Sequence, residues 1–214
     1  MYYWPLFGLR IRTPRLELRL PTDIDLFDLT AVARNGVYAP GDMPFLVPWT
    51  EVPSPDFEYS FLQYHWGIRA SWNPDSWRCE LAVFENGVAA GAQAISAEGF
   101  HTERTISTGS WLGREFQGRG IGKEMRSAAL SFAFDYLDAQ WVTSSAFSDN
   151  YASQAVSRSL GYEETSHEWV GDEGNQREAI NFLMTPELWY SRERPAIEVE
   201  GFDDCAIFFG LWDD

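Results

Sequence analysis

The chain has 214 residues, with 16 basic against 32 acidic side chains and a formal net charge of −16. So acidic a molecule repels phosphate polymers, which argues against general nucleic-acid binding and leaves cationic partners, such as amines and basic peptides, as the ones it attracts. Hydrophobic residues make up 45% of it, enough for a sizeable core, and no run approaches the ~20 apolar residues that cross a bilayer.

The start, Met1-Tyr2-Tyr3-Trp4-Pro5, lacks the basic region and long apolar stretch of a signal peptide, so a cytoplasmic location is expected. Cys79 and Cys205 have no metal-type spacing and read as reduced thiols. His65, His101 and His167 are scattered, so no metal site is expected.

In chain order, Leu16 to Leu20 alternates as a strand. A helix follows to about Ala33, with Thr22 as N-cap and Asp25 three residues on as a capping-box variant. Residues 36–55 carry Pro40, Pro44, Pro48, Pro53 and Pro55, which forbid a regular helix; such a long irregular segment is often functional. Phe57, Phe61, Tyr64, His65 and Ile68 recur at helical spacing and place a helix over 56–71. Residues 80–84 and 88–96 read as strands joined by the hairpin turn Asn86-Gly87. Thr105 to Leu112 is the next strand. A long helix is expected from Gly118 to Leu137, burying Ile121, Met125, Ala128, Phe132 and Tyr136. A strand from Trp141 to Phe147, a short helix ending at Leu160-Gly161-Tyr162, and strands near 164–170 and 178–183 complete the pattern. Residues 186–214 are acidic and aromatic, with Trp189, Phe202, Phe208, Phe209 and Trp212, and read as an extension packing on the domain or on a partner subunit; a homodimer is a reasonable assembly.

The most informative stretch is Gln117-Gly118-Arg119-Gly120-Ile121-Gly122, between a strand and a helix. Glycines let the backbone approach an anion closely, and the unpaired N–H groups of a helix start point at negative charge. Residues 114–126 also hold Arg114, Arg119, Lys123 and Arg126 against Glu115 and Glu124, a basic island in an acidic chain. Arg119, Lys123 and Arg126, at i, i+4 and i+7, are expected along one helix side facing phosphates. Against the nucleoside-triphosphate loop, Gly122-Lys123 is followed by Glu124 rather than Ser or Thr.

Taken with Asn150-x-x-Ser153 and Gly161-Tyr162 further on, this pattern resembles the Gcn5-related N-acetyltransferase (GNAT) family. Gln117, Gly120 and Gly122 fill the three defined places of its phosphate loop. The opening Thr13-Pro14-Arg15-Leu16-Glu17-Leu18-Arg19 and the strand Gly109-Ser110-Trp111-Leu112-Gly113 are similar to the branch that acetylates N-terminal amines of ribosomal proteins. The resemblance covers about residues 10–185. It implies an α/β fold: a central mixed, mostly antiparallel sheet with helices on both faces and a splay between the fourth and fifth strands, here 105–112 and 141–147. It also implies an acyl-CoA co-substrate, acetyl-CoA foremost and succinyl-CoA or another longer donor as the alternative. The pantetheine arm would lie in the splay, on backbone groups of Trp111, Leu112 and Gly113. The pyrophosphate would sit on the N–H groups of Gln117, Gly118, Arg119, Gly120, Ile121 and Gly122, beside Lys123, with Arg158 toward the adenine.

The chemistry implied is attack of a neutral amine on a thioester, which needs proximity, a proton acceptor and charge stabilisation. Many relatives protonate the leaving sulfur with a tyrosine; Ser157 stands at that place here. The group expected to do so is Ser153, the equivalent in the ribosomal-protein branch, held by Asn150. For an isolated Asn-x-x-Ser, capping of the helix is an equal reading. The branch's usual basic glutamate is replaced by Ser107, leaving Glu98, His101 and Glu103 as candidate bases. Tyr38, Asp42, Phe45, Trp49 and Glu51 are candidate acceptor-pocket residues; Phe45 reads foremost as packing. The remaining alternatives are a non-catalytic coenzyme A-binding sensor and, last, a phosphate-loop nucleotide binder.

Overall fold

The computed structural model describes residues 2–211, so Met1 and Trp212 lie outside the described residues. Nine strands form one sheet: β1 (Arg10–Arg12), β2 (Leu16–Arg19), β3 (Ser76–Glu85), β4 (Val88–Glu98), β5 (Thr105–Leu112), β6 (Trp141–Phe147), β7 (Glu163–Val170), β8 (Arg177–Met184) and β9 (Glu198–Glu200). Their spatial order is β7-β8-β6-β5-β4-β3-β2-β1-β9, and every pairing is antiparallel except β5 with β6. The helices are α1 (Asp23–Arg34), α2 (Asp56–Ala70), α3 (Phe100–Glu103), α4 (Ile121–Ser131), α5 (Tyr151–Leu160) and α6 (Pro186–Tyr190).

Local chemistry sets these boundaries. Thr22 and Asp25 exchange side-chain and backbone hydrogen bonds in a full capping box, which starts α1. Asn86 and Gly87 both take positive φ and close β3 onto β4 by a two-residue turn, pairing Glu85 with Val88. Leu16, Leu18, Leu81 and Val83 point to one side of the sheet and Ala82 and Phe84 to the other, so each face has its own core. The larger core lies under α4 and α5; the smaller lies under α1 and α2, with Leu26, Leu29, Phe57 and Phe61 fully or nearly buried.

Two expectations from sequence change. The helix after the glycines starts at Ile121 rather than Gly118, because Gly118 and Gly120 sit at φ +69° and +79°, outside the helical region. It also gives way after Ser131 to a π-helical turn, Phe132–Tyr136. A three-residue strand, Arg10–Arg12, precedes the strand seen in the sequence, so the splayed pair is the fifth and sixth rather than the fourth and fifth. The short β9 pairs with β1, and beyond it Cys205 and Phe209 are completely buried. Phe209 meets Trp72, Trp77 and Phe132 edge-on with ring centroids 5.0–5.6 Å apart.

Candidate active site

The parallel pairing of β5 with β6 runs from Thr105↔Trp141 to Thr108↔Ser144 and then stops, although both strands continue. Residues 109–112 and 145–147 therefore diverge, and their facing backbone groups line a cleft in the sheet. Gly113 N–H donates to Ala90 O on the β4 side. By the alternation of a strand, Trp111 points the same way, whereas Ser110 and Leu112 turn their amides to the cleft. Of the three residues expected to bind pantetheine, Leu112 turns its amide to the cleft while the Trp111 and Gly113 amides are committed to β4; Ser110, not singled out in the sequence, also faces the cleft.

The glycine loop follows directly. Among the described residues, no backbone N–H from Gly118 to Lys123 donates to a protein acceptor. A side chain at Gly118 would meet open space, and the positive φ of Gly118 and Gly120 turns successive amides outward. The residues fit a pyrophosphate: unpaired donors, no Cβ in the way, and positive charge nearby. Lys123 is exposed beside the loop. Arg15, which sequence reasoning left as part of a motif, reaches the loop from the bend just ahead of β2, donating to Arg119 O at 3.1 Å while Glu124 holds its other side. The expected basic stripe is not there. Arg119 lies before the helix and pairs with Glu85 at 2.7 Å, and Arg126 is buried beneath the sheet. Gln117 does not offer its side chain to a ligand; it donates to Val37 O and Leu112 O and ties the loop to the end of α1. Arg158 is engaged by Glu164 and Gln154.

Asn150 caps α5, its Oδ1 accepting from Ser153 N at 3.1 Å, so the capping role of that asparagine holds. The Ser153 hydroxyl is half-buried and makes no hydrogen bond among the described residues. Ser157 is fully buried and cannot replace it at the surface of the cleft.

The opposite face carries an aromatic cluster. Trp111 packs against Trp49 at 5.6 Å and Phe61 at 6.3 Å, and Trp49 also meets Phe45 and Phe57. Tyr38 joins through Phe45, with its hydroxyl 2.8 Å from Thr50 Oγ1. Asp42 and Glu51 are exposed at the rim. Arg177 of β8 fastens the Pro-rich segment down: it donates to Met43 O and Phe45 O, pairs with Asp149 at 2.8 Å, and lies 3.7 Å above the Phe147 ring. A cleft of about 600 Å³ lies toward the opposite end of β5 from Trp111, floored by Ser96 and Ser107 with Ile68, Trp72, Glu98 and Glu103 around it. His101 is exposed and is not part of its lining.

Helix α2 fixes what stands over the splay. Phe61 touches Trp111 and Ile68 lines the cleft with Ser107, so His65, between them, lies above Gly109. A Cβ at Gly109 would meet nothing within 4 Å. His65 is almost wholly buried against Phe61, and burial pushes its pKa down to about 4, with neighbouring Glu80 opposing. Glu80 shares a row with Ala94 and Gly109 across three strands and accepts from Tyr64 Oη at 2.8 Å and Arg78 Nε at 2.7 Å. Neither His65 nor Glu80 stands out as a site residue in the sequence. The usable signal was Arg78 and Glu80 alternating with Cys79 and Leu81, charges on a strand face that a helix covers.

A sheet opened between two parallel strands, with a glycine-lined anion cradle at its mouth and an aromatic wall across it, defines an acyl-CoA-dependent transferase. A family model described as the acetyltransferase (GNAT) domain matches residues 15–163. The chain belongs to that family and is an N-acetyltransferase of the GNAT type. Solved structures share the fold. A candidate ribosomal-protein-serine acetyltransferase from Vibrio cholerae is 24% identical with a TM-score of 0.65, covering 83% of this chain and 97% of that one. RimJ of Mycobacterium smegmatis, in complex with CoA-disulfide, is 17% identical with a TM-score of 0.68 over 86% and 90% of the two chains. RimL, the ribosomal L7/L12 alpha-N-protein acetyltransferase, in complex with coenzyme A, is 17% identical with a TM-score of 0.66 over 81% and 95%. Among the described residues no helix is long and apolar enough to cross a membrane, and no group of three or more His, Cys, Asp or Glu is placed to hold a metal ion.

Proposed function

We propose that the chain transfers an acyl group from coenzyme A to a primary amine, of a small molecule or a peptide or protein N-terminus, by direct attack within a ternary complex. The observation that carries this is the end of β5–β6 pairing at Thr108↔Ser144, immediately ahead of the unpaired amides of residues 118–123. The pantetheine arm adds to the Ser110 and Leu112 side of β5 as an extra strand. The pyrophosphate takes the loop amides, with Lys123 and Arg15 supplying charge. RimJ and RimL, of the same fold, are solved with coenzyme A species, which supports this placement.

The amine enters from the aromatic face, past Trp49 and Trp111, where Asp42 and Glu51 favour a cation on approach. Its nitrogen attacks the thioester carbonyl carbon above Gly109; a C–N bond forms and the carbonyl electrons move to oxygen. Collapse breaks the C–S bond. The thiolate leaves and takes a proton from the Ser153 hydroxyl, which regains one from water. The amine's surplus proton passes to solvent water, while His65 stays a neutral imidazole because burial and the nearby Arg69 and Arg78 disfavour its cation. Little base strength is required for an N-terminal acceptor: at pH 7 an α-amine with pKa ~7.8 is roughly a tenth neutral, a lysine less than about a thousandth. Residues 10–185 form the catalytic unit in this reading, with residues 186–214 an extension that sends Phe209 into its core.

The test is calorimetric binding of acyl-CoA together with thiol release in the presence of amines and N-terminal peptides. Amine-dependent release is expected. Gly120→Glu, which forces a side chain and a negative charge into a left-handed position, should weaken binding by about a hundredfold or more. Wild-type protein that binds no coenzyme A, or a variant that binds as well, overturns the proposal.

A further inference from the structure

Arg126 is a cation that this mechanism leaves unused. Its side chain rises from α4 into the crotch of the splay and is 3% exposed. Its partners are all neutral: Ser144 Oγ at 2.8 Å on β6, Ser110 Oγ at 3.1 Å on β5 and Gln93 Oε1 at 3.4 Å on β4. Among the described residues no carboxylate lies within ion-pair distance of it. A buried charge without a counter-ion is expensive, and one with only dipoles around it is poised for an anion. Tyr162 adds a second observation. Its hydroxyl is buried, makes no hydrogen bond among the described residues, and neighbours Thr108 and Arg126 without bonding geometry to either. Cation and unpartnered hydroxyl thus converge behind the last paired rung of β5 and β6.

The position of this cluster along β5 identifies what reaches it. Helix α4 runs back along β5: a Cβ at Gly122 would lie 3.8 Å from Leu112, and Arg126, one turn on, bonds Ser110. From Gly120 to Arg126 the helix rises ~9 Å, much as the open segment of β5 from Leu112 back to Gly109 spans ~10 Å. A pantetheine arm anchored at the loop therefore brings its thioester to Gly109, and the acyl group beyond it to Ser144, Tyr162 and Arg126. A methyl group offers these polar atoms nothing.

We propose that Arg126, with Ser144 and Tyr162, receives a carboxylate at the far end of the acyl group, so that the preferred donor is the coenzyme A monothioester of a short dicarboxylic acid. This rests on the acyltransferase reading above and deepens it. The transfer is unchanged: C–N forms, C–S breaks, the thiolate and the amine proton go where they did before. The distal carboxylate takes no part and remains as the acidic end of the amide product.

The experiment compares succinyl-CoA and acetyl-CoA, by binding and by kcat/KM at one amine acceptor, on the full wild-type chain and on Arg126→Met and Arg126→Lys, with melting temperatures alongside. Wild type should favour succinyl-CoA by about tenfold or more, and Arg126→Met should collapse that ratio by about a hundredfold, the scale of stranding one member of a buried ion pair. Arg126→Lys should keep part of the preference, and the wild-type comparison needs no variant to fold. Equal use of the two donors by wild type, or a preference for acetyl-CoA, overturns the proposal. So does an Arg126→Met chain that loses both donors alike, which would assign the cation to the thioester itself. If neither donor binds, the acyltransferase reading falls and takes this one with it; acetyl transfer without a succinyl preference removes this one alone.

Discussion

The two faces of the sheet offer their proposed ligands different materials. On the α4–α5 face the donor would meet a contiguous run of backbone, residues 117–123, whose geometry is set by two glycines at positive φ. On the α1–α2 face the acceptor would meet side chains from separate parts of the chain: Tyr38, Trp49, Phe61, His65 and Trp111. Recognition by backbone is local and tolerates change around it. Recognition by assembled side chains depends on every element that holds them in place.

The contrast can be broken most forcefully through stability. Phe209→Ala removes a fully buried ring from the core beneath α4 and should cost about 3–5 kcal/mol in chemical denaturation. A loss below about 1 kcal/mol would mean that the C-terminal segment packs independently of the donor face. Next comes His65. Its folded pKa of about 4 lies below the usual 6.5, so the unfolded chain binds the extra proton between those values and stability falls as pH drops through that window. The loss approaches roughly 3 kcal/mol by pH 4. His65→Phe should flatten this part of the stability curve, leaving the steeper fall at lower pH, where Glu17, Asp23 and Asp25, held below their ordinary values, take up protons.

Smaller effects sharpen the division. Trp49→Ala opens the aromatic wall and should raise the acceptor KM ten- to a hundredfold, roughly, with donor affinity unchanged in calorimetry. A matching loss of acyl-CoA affinity would show that the faces are not separable. Ser153→Ala should lower kcat about tenfold, because a thiolate with pKa near 8.5 needs only modest help to leave. Equal kcat in the variant would reduce Ser153 to a first-turn helix residue.

The same contrast explains how far the sequence could be read. Capping at Thr22, the turn at Asn86-Gly87, and the glycines at 118 and 120 act through their own backbone, so they were visible one segment at a time. The α4 stripe was misjudged because i, i+4, i+7 spacing assumes a helix already formed at Arg119, and the glycines delay it to Ile121. Arg126 was read as facing phosphates along a helix side, since nothing local reveals that Gln93, Ser110 and Ser144 wait for it on three strands. His65 was read as one of a helix's apolar spacings; its place above Gly109 depends on how α2 crosses the sheet. Glu98 and Glu103, read as candidate bases, line the cleft that holds Ser107, whereas His101, the third candidate, is not in its lining.

The sheet's two outer strands have a consequence for how the protein behaves in bulk. At one side β7 is exposed along most of its length and carries Glu163, Glu164 and Glu168; at the other, the three-residue β9 carries Glu198 and Glu200. Open strand edges invite a neighbour to extend the sheet, and like charges on both partners oppose it. Concentrated solutions should therefore stay clear at neutral pH and turn cloudy as acid neutralises those carboxylates, before the core itself gives way.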